Sequence, residues 1–470
     1  MTTLESLPDE MLMHIFSYLR VPESSSGYEH RTNFYQLALF LRGLCLVSKR
    51  LRPIAQRMLH YSIPSLRETQ RYLLLRTLVE CPDLANSVRA IDLGESFISA
   101  SDIQDLFELA RPRLNISDNL AEKIIRDAEE EEVGSDYSFF LLLVPNIERL
   151  DLACWYGIDL TMHDLIKETR DSSNGAAVPL GRLGEIRLRH EDTEGCTTLE
   201  PLGLLALPTL RTLRGHAMEW TTELQPEMDP EAEETDDEKQ YALRLALEHI
   251  DLSWSLCNEE SLENMISRCP DLKTLRIEWG SATVGADDDL NFDGIGHVLR
   301  EFGGKLEELM LDCRRAFMYE DLGEVTFEIG SLCELSRLRT LVLPHNILVG
   351  QGRDTADRKP LKLQDVLPTS LETLRLFGVH HDERALDDQL YDMITSKKWG
   401  NLRKVIMLGR EDPFHHDLAE HGWVSWKMWG KVCLATEAEF RLIPKETHQF
   451  FQFHGQQTPR NWIRPRWAQG

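Results

Sequence analysis

The chain has 470 residues, 42% of them hydrophobic, which suffices for more than one domain and for a sizeable core. Its formal net charge of −26 argues against general binding to nucleic acid, because the average field would repel a phosphate backbone. No apolar run approaches membrane-spanning length and no secretion signal is visible, so we expect no membrane association. The nine cysteines are scattered through apolar segments, as reduced thiols are, which favours the cytoplasm or the nucleus.

The first predicted element is a helix that begins at Pro8. Proline has a fixed φ and no amide hydrogen, so it suits the first turn, and Asp9 and Glu10 add negative charge at the positive end of the helix dipole. Apolar residues with helical spacing follow at Leu12, Ile15, Phe16 and Leu19. Core packing and a docking surface both explain such a stripe.

A second apolar segment runs from residue 33 to residue 60. Its apolar positions follow the helical period and are Leu37, Leu41, Leu44, Val47, Leu51, Ile54 and Met58. Pro53 suits the first turn of a third helix better than the interior of a long second one. We therefore expect three short helices, with residues 22–30 as a flexible loop between the first two.

The three segments together resemble the F-box. Residues 7–19 read Leu-Pro-x-Glu-x-x-x-x-Ile-x-x-Tyr-Leu, and matching apolar segments follow at 44–51 and 54–61. The resemblance implies that one helix face docks on a Skp-type adaptor, which joins the chain to a cullin–RING ubiquitin ligase. We expect the adaptor contacts to be Leu7, Pro8, Leu12, Ile15, Leu19, Leu44, Val47 and Leu51.

From residue 88 onward the chain repeats the unit Leu-x-x-Leu-x-Leu, with valine, isoleucine or methionine also allowed at the apolar sites. Copies begin at Val88, Ile147, Leu183, Leu210, Leu247, Leu272, Leu306, Leu338, Leu371 and Leu402. From the second copy on, successive starts lie 25 to 37 residues apart, and the copy at Leu210 is broken by Gly215. Such near-regular spacing predicts a repeat architecture.

The last two apolar sites of each unit are two residues apart, so they point to the same face of a strand. The first site anchors the turn before the strand, and segments such as 259–269 have the spacing of a return helix. A strand, a helix and the next parallel strand would form a module that cannot bury its apolar face alone, so modules should stack. The predicted fold is α/β, a small three-helix domain followed by a curved solenoid. An unrelated α/β domain with leucine-rich strands is the alternative.

The repeats resemble the irregular leucine-rich repeats of fungal F-box proteins. The resemblance implies an F-box at residues 1–62, a solenoid at 63–410, and an aromatic cap and tail at 411–470. Two acidic stretches interrupt the solenoid near 127–136 and 219–239, and their self-repulsion and lack of apolar surface predict disorder. Thr235, which three acidic residues follow, resembles an acid-directed kinase substrate and offers a regulatory alternative to a solvated loop.

The segment after residue 410 is rich in aromatic residues and histidines. Its tryptophans recur every three residues and suit a cover for the last repeat: Trp423, Trp426 and Trp429. The histidine clusters near 380–383 and 415–421 lack the spacing of a known zinc motif. We therefore predict exposed loop histidines in preference to a metal site, and no cofactor.

Strand alternation places the middle residue of each unit on the face opposite the apolar sites. Arg187, Arg214 and Arg276 occupy that position, and Arg189 and His216 lie two residues beyond the first two of these. Guanidinium groups pair bidentately with carboxylates and phosphates, so this cluster predicts a site for an acidic or phosphorylated target. In the alternative interpretation the arginines merely pair with acidic residues of neighbouring repeats: Asp151, Asp251 and Glu278.

No nucleophile elbow, phosphate-binding glycine loop or dinucleotide fingerprint is present, so no catalytic site is predicted. The sequence favours a non-catalytic subunit that recruits an unknown protein target to a Skp–cullin–F-box ubiquitin ligase. One alternative is an F-box scaffold that supports assembly without ubiquitin transfer. A second is an enzyme whose site the motifs do not reveal.

Overall fold

The strands of the repeat unit lie side by side in one parallel sheet of twelve strands. The computed structural model describes residues 6–18, 27–94, 98–114, 116–129, 135–153, 164–166, 180–190, 196–199, 204–220, 244–280, 290–315, 328–350, 361–379, 389–390, 393, 397–409 and 439–442. In pairing order the strands are β1 (Ser62–Ile63), β2 (Ala90–Leu93), β3 (Arg149–Ala153), β4 (Glu185–Arg189), β6 (Thr212–His216), β8 (His249–Ser255), β9 (Thr274–Gly280), β10 (Glu308–Arg315), β11 (Thr340–Pro344), β12 (Thr373–Val379), β13 (Lys404–Gly409) and β14 (Glu439–Leu442). Two further strands, β5 (Thr197–Leu199) and β7 (Met218–Trp220), form a separate pair.

Helices precede the sheet and fill several connections between its strands. The first eight are α1 (Asp9–Ser17), α2 (Gly27–Val47), α3 (Arg52–Leu59), α4 (Glu68–Glu80), α5 (Pro82–Ala85), α6 (Ala100–Ala110), α7 (Asp118–Glu129) and α8 (Ser135–Leu143). Later helices span Glu259–Arg268, Phe292–Phe302, His345–Val349 and Leu363–Val366. The protein is therefore of the α/β class, with a helical region followed by a parallel sheet.

Nine of the ten units begin their strand in the same way. The first apolar residue of the unit donates its N–H to the carbonyl three residues back, as Ile147 does to Val144 at 3.2 Å and Leu272 does to Cys269 at 3.0 Å. The residue after it accepts two N–H groups from the next strand, and the carbonyl of Glu248 does so at 2.8 and 3.1 Å. This recurrent turn accounts for the first apolar site, which lies before the strand and not in it.

The apolar sites of the units bury their side chains in one continuous core. Leucines on one side of the strands are fully buried, and helix Glu259–Arg268 packs Leu262, Met265 and Ile266 against them. Each such side chain contributes about 1.5–3 kcal/mol through burial. The broken unit is also packed, since a Cβ at Gly215 would lie 2.7 Å from the Leu252 side chain.

Among the described residues, some modules contain a return helix and others contain short turns before the strand. Short 3₁₀ turns at Leu204–Ala206 and Lys397–Trp399 precede β6 and β13. Residues 328–339, before β11, contain no helix. A turn needs fewer residues than a helix to connect two strands. It covers the apolar side of the strands equally well when leucines fill the space, as Leu332, Leu335 and Leu338 do here.

Both acidic inserts are more ordered at their ends than predicted. Asp127 is buried on α7, and Asp136 is buried on α8 against Arg71. Trp220, placed in the second insert, ends β7 with 1% of its surface exposed. Charge density alone does not exclude order, because a single ion pair or large aromatic side chain can anchor the end of an acidic stretch. Residues 130–134 and 221–243 lie outside the described residues.

Candidate functional site

The helical region has a small core of its own. Leu12 and Phe16 on α1 meet Leu41 on α2 and residues of α3, and all are buried. The predicted helices and the proline positions are confirmed, with Pro8 as the N-cap of α1 and a proline in the first turn of α3. The predicted loop 22–30 was too long, because residues 27–30 already belong to α2.

The predicted adaptor contacts divide into two groups. Leu12 and Leu51 are fully or almost fully buried in the small core, and Leu7 and Leu44 are half-buried against it. Leu12 and Leu51 hold the helices together, whereas Leu7 and Leu44 keep part of their surface exposed. Pro8, Ile15 and Val47 are exposed, with Ile15 at 38% and Val47 at 82%. Leu19 lies outside the described residues.

A different set of apolar side chains forms the exposed surface of these helices. On α1 they are Met11, Met13, Ile15 and Tyr18, and on α2 they are Leu39, Phe40, Leu46 and Val47. The α2 residues fall at i, i+1, i+7 and i+8, which is one side of a helix. The α1 residues apart from Met13 also share one side of their helix, and we call these seven side chains on the two helices the apolar patch.

Both sides of α2 are apolar, so helical spacing alone does not distinguish them. Leu37, Leu41 and Leu44 follow the helical period and pack inward, while the stripe of the apolar patch faces solvent. Burial, which is known only once α3 is in place, distinguishes the two.

Arg50, which precedes α3, also contacts the start of α1. Its Nη2 donates to the carbonyl of Leu7 at 2.6 Å and lies 3.3 Å from Asp9 Oδ1.

The second candidate site is the polar face of the sheet. The predicted row of middle residues is confirmed by the strand register, in which each residue lies beside the next. The row is Asp92, Asp151, Arg187, Arg214, Asp251, Arg276, Met310, Val342, Arg375 and Ile406. Its first six members are charged and half-buried, whereas Met310 and Val342 are buried. The face therefore changes from charged to apolar along the sheet.

The predicted substrate-binding arginines are all engaged in ion pairs. Arg187 and Arg214 share Glu185, at 2.8 and 3.1 Å, and Arg189 lies 2.7 Å from Asp92. Further pairs join Arg187 to Asp151 at 3.6 Å, and Arg276 to Glu308 at 2.7 Å and to Asp251 at 3.8 Å. His216 lies 3.0 Å from the hydroxyl of Ser253. An acidic ligand at these arginines would have to compete with carboxylates that are already in place.

Two carboxyl groups of the row have unusual acidity. Burial raises the pKa of Asp151 to about 6, although the guanidinium of Arg187 acts in the opposite direction. Burial also raises the pKa of Asp251 to about 6, against the attraction of Arg276. The cause in both cases is desolvation, which the neighbouring arginines only partly offset.

A cleft of about 340 Å³ lies where the small helical core meets the sheet. Leu37 and Leu41 of α2 and Met58 of α3 form one wall, and the first residues of the strands, including Arg149 and Glu185, form the other. Chain connectivity holds the two walls together, because α3 is followed after two residues by β1, which pairs with β2.

The described residues contain neither a candidate metal site nor a disulfide. No group of three or more His, Cys, Asp or Glu side chains there is placed to hold a metal ion, and the described cysteines are free thiols. Both predicted histidine clusters lie outside the described residues. None of the helices described is both long and apolar enough to cross a membrane.

Comparison with known proteins identifies the helical region. The family model described as F-box-like matches residues 4–63. No curated protein matches the chain. F-box domains in general bind Skp-type adaptors, and the proteins that carry them are typically non-catalytic. The chain therefore has an F-box-like domain at residues 4–63, followed by a region in which a parallel sheet carries the repeats.

Proposed function

We propose that the protein is the substrate-recognition subunit of a Skp–cullin–F-box ubiquitin ligase, in the cytoplasm or the nucleus. One observation carries the proposal: of the eleven large apolar side chains exposed among the described residues, eight belong to the F-box-like domain, and seven of these make up the apolar patch. Exposed apolar side chains concentrated in one small domain indicate a protein interface.

The apolar patch is suited to the core of such an interface. Leu46 and Val47 at the end of α2 are 74% and 82% exposed, and burial of each under a partner contributes about 1.5–3 kcal/mol. The internal core beneath the patch is complete, so the patch is not needed to hold the three helices together. Binding of an adaptor would therefore cover this surface without a change in the fold.

We further propose that the sheet is a leucine-rich-repeat solenoid that holds the target. The repeated turn, the sequential parallel strands and the common register of the strand starts support this reading. The adaptor would bind one end and the target would lie on the sheet, so that a target lysine is held near the ubiquitin-carrying enzyme. Proximity of this kind replaces a slow encounter by an effectively intramolecular one, and the chain itself breaks no bond.

The test is a binding measurement with a purified Skp-type adaptor. The double variant Ile15→Asp/Val47→Asp should lose binding, because two charges would be desolvated at the interface core at a cost of several kcal/mol. The matched control is Leu73→Asp/Leu109→Asp, an equally drastic pair of changes at side chains that are 57% and 59% exposed on α4 and α6.

Wild-type affinity of the double variant would contradict the proposed adaptor surface. Equal loss in the control would indicate a general defect and would also contradict it. Adaptor binding without co-purification of a cullin would favour the scaffold without ubiquitin transfer.

A further inference from the structure

The cleft between the F-box-like domain and the sheet contains a poorly paired arginine. Arg149 is the first residue of β3 and lines the cleft, and 14% of its side chain is exposed. Among the described residues, no hydrogen-bond acceptor is in reach of its buried Nε, and the nearest carboxylate oxygen is Asp151 Oδ2 at 4.0 Å. A buried guanidinium N–H without an acceptor is costly, and no carboxylate oxygen of the described residues is closer to Arg149 than 4.0 Å, so its guanidinium has capacity for one from a ligand.

Asp151 does not satisfy Arg149. The Asp151 carboxylate also lies 3.6 Å from Arg187 Nε, closer than it lies to Arg149, and burial raises its pKa to about 6. Arg187 itself has a second carboxylate at 2.8 Å, from Glu185. Of the two arginines that share Asp151, Arg149 is thus the one without a carboxylate oxygen closer than 4.0 Å.

Gly184 keeps the cleft open. The corresponding residues of neighbouring repeats are charged and carry long side chains: Arg89, Glu148, Arg211 and Glu248. A Cβ built at Gly184 would have one neighbour within 4 Å, the carbonyl of Glu148 at 3.9 Å, which is an ordinary contact. The backbone there tolerates a side chain, so the glycine leaves room without being required by the fold.

We propose that this cleft holds a short extended segment of the protein target, in which an aspartate or glutamate carboxylate pairs with Arg149 and an apolar side chain packs against Leu37, Leu41 and Met58. The guanidinium fork donates two parallel hydrogen bonds to a carboxylate, and the opposite wall is apolar. The volume of the cleft is within the range of ligand sites.

The inference rests on the proposed role as a target receptor. It places the captured segment beside α2, so the orientation of the target relative to the adaptor would follow from the contact between the F-box-like domain and the sheet. The determinant differs from the predicted arginine cluster, because Arg149 stands at the start of its strand and not at the middle position.

The experiment selects peptides from a random seven-residue display library on the full-length protein bound to a Skp-type adaptor. The expected motif combines one acidic residue with a neighbouring apolar residue. The selected peptide is then synthesised in two forms, with its acidic residue or with the matching amide, and their affinities are measured by fluorescence polarisation. Arg149→Gln should weaken the acidic form about tenfold or more and leave the amide form unchanged.

Two further variants complete the design. Gly184→Trp should abolish binding by filling the cleft, whereas Gly304→Trp, at a glycine with nothing within 4 Å of an added Cβ, should have no effect. Arg339→Gln is the charge control, since Arg339 is an exposed arginine paired with Glu372 at 3.9 Å.

Absence of selected peptides, a motif without an acidic residue, or equal affinity of wild type and Arg149→Gln for the acidic peptide would each overturn the inference. If Gly184→Trp does not fold, Arg149→Gln with the two peptides decides alone. Adaptor binding is measured separately on every variant, so loss of the ligase role and loss of the peptide site are distinguished.

Discussion

Replacement of Arg71 by methionine is expected to lower the free energy of unfolding by about 3–5 kcal/mol, because it leaves the carboxylate of Asp136 buried and unpaired. The two side chains are each 3% exposed. Arg71 Nη2 donates to Asp136 Oδ1 at 2.9 Å, and Nε lies 2.6 Å from Oδ2 without the alignment of a hydrogen bond. The guanidinium also stacks over Tyr137, 5.0 Å from the ring centre.

The loss should depend on pH in a defined direction. Burial raises the pKa of Asp136 to about 6 even with Arg71 present, because desolvation outweighs the attraction of the guanidinium. Without Arg71 the pKa rises further, so the carboxyl group takes up a proton as the pH falls and the unpaired charge disappears. The difference between variant and wild type should be largest above about pH 7 and should shrink toward pH 5.

The assay is urea unfolding followed by tryptophan fluorescence at several pH values. Arg76→Met is the matched control, since Arg76 lies on the same helix and pairs with Glu80 at 2.7 Å, but both side chains are about half exposed. Water screens such a pair, so the control should lose much less stability. Equal losses at Arg71 and Arg76, or a loss at Arg71 that does not change with pH, would refute the reasoning.

Three further predictions concern Gly330, the second acidic insert with Trp220 at its start, and the buried aspartates of the polar sheet face. Gly330→Ala should cost about 1–3 kcal/mol in the same assay, because φ is +76° and the new Cβ would lie 2.8 Å from an arginine nitrogen. Trp220→Ala should cost about 3–5 kcal/mol, whereas deletion of 225–238 should leave the unfolding midpoint unchanged. Asp151 and Asp251 bind protons more tightly when folded, so their contribution to stability should increase as the pH falls from 7 to 4, and the pH slope should be smaller in the double Asn variant.

The sheet register was predictable from the repeat unit alone. Because side chains alternate on a strand, the residue between two inward leucines must lie on the other face, and this predicts that Asp151, Arg187 and Arg214 lie side by side, as they do. The F-box-like helices were predictable for a similar reason, since proline positions and helical spacing are local properties.

Partners and burial were not predictable, because they depend on residues distant in sequence. The sequence places Asp136 in a solvated acidic run. In the fold it pairs with Arg71 of α4, which is 65 residues earlier in the chain. Arg149 could not be singled out, because its incomplete pairing follows from the competition of Arg187 for one carboxylate.

The sequence by itself determined the helices of the F-box-like domain, the strands and their register, since these follow from periods of 3.6 and 2. The tertiary structure decided which apolar stripe of α2 faces solvent and which arginines are neutralised. It also decided that a cleft opens at Gly184. The physical reason is that burial and charge pairing depend on neighbours that only the folded chain brings together, whereas periodicity belongs to the local chain.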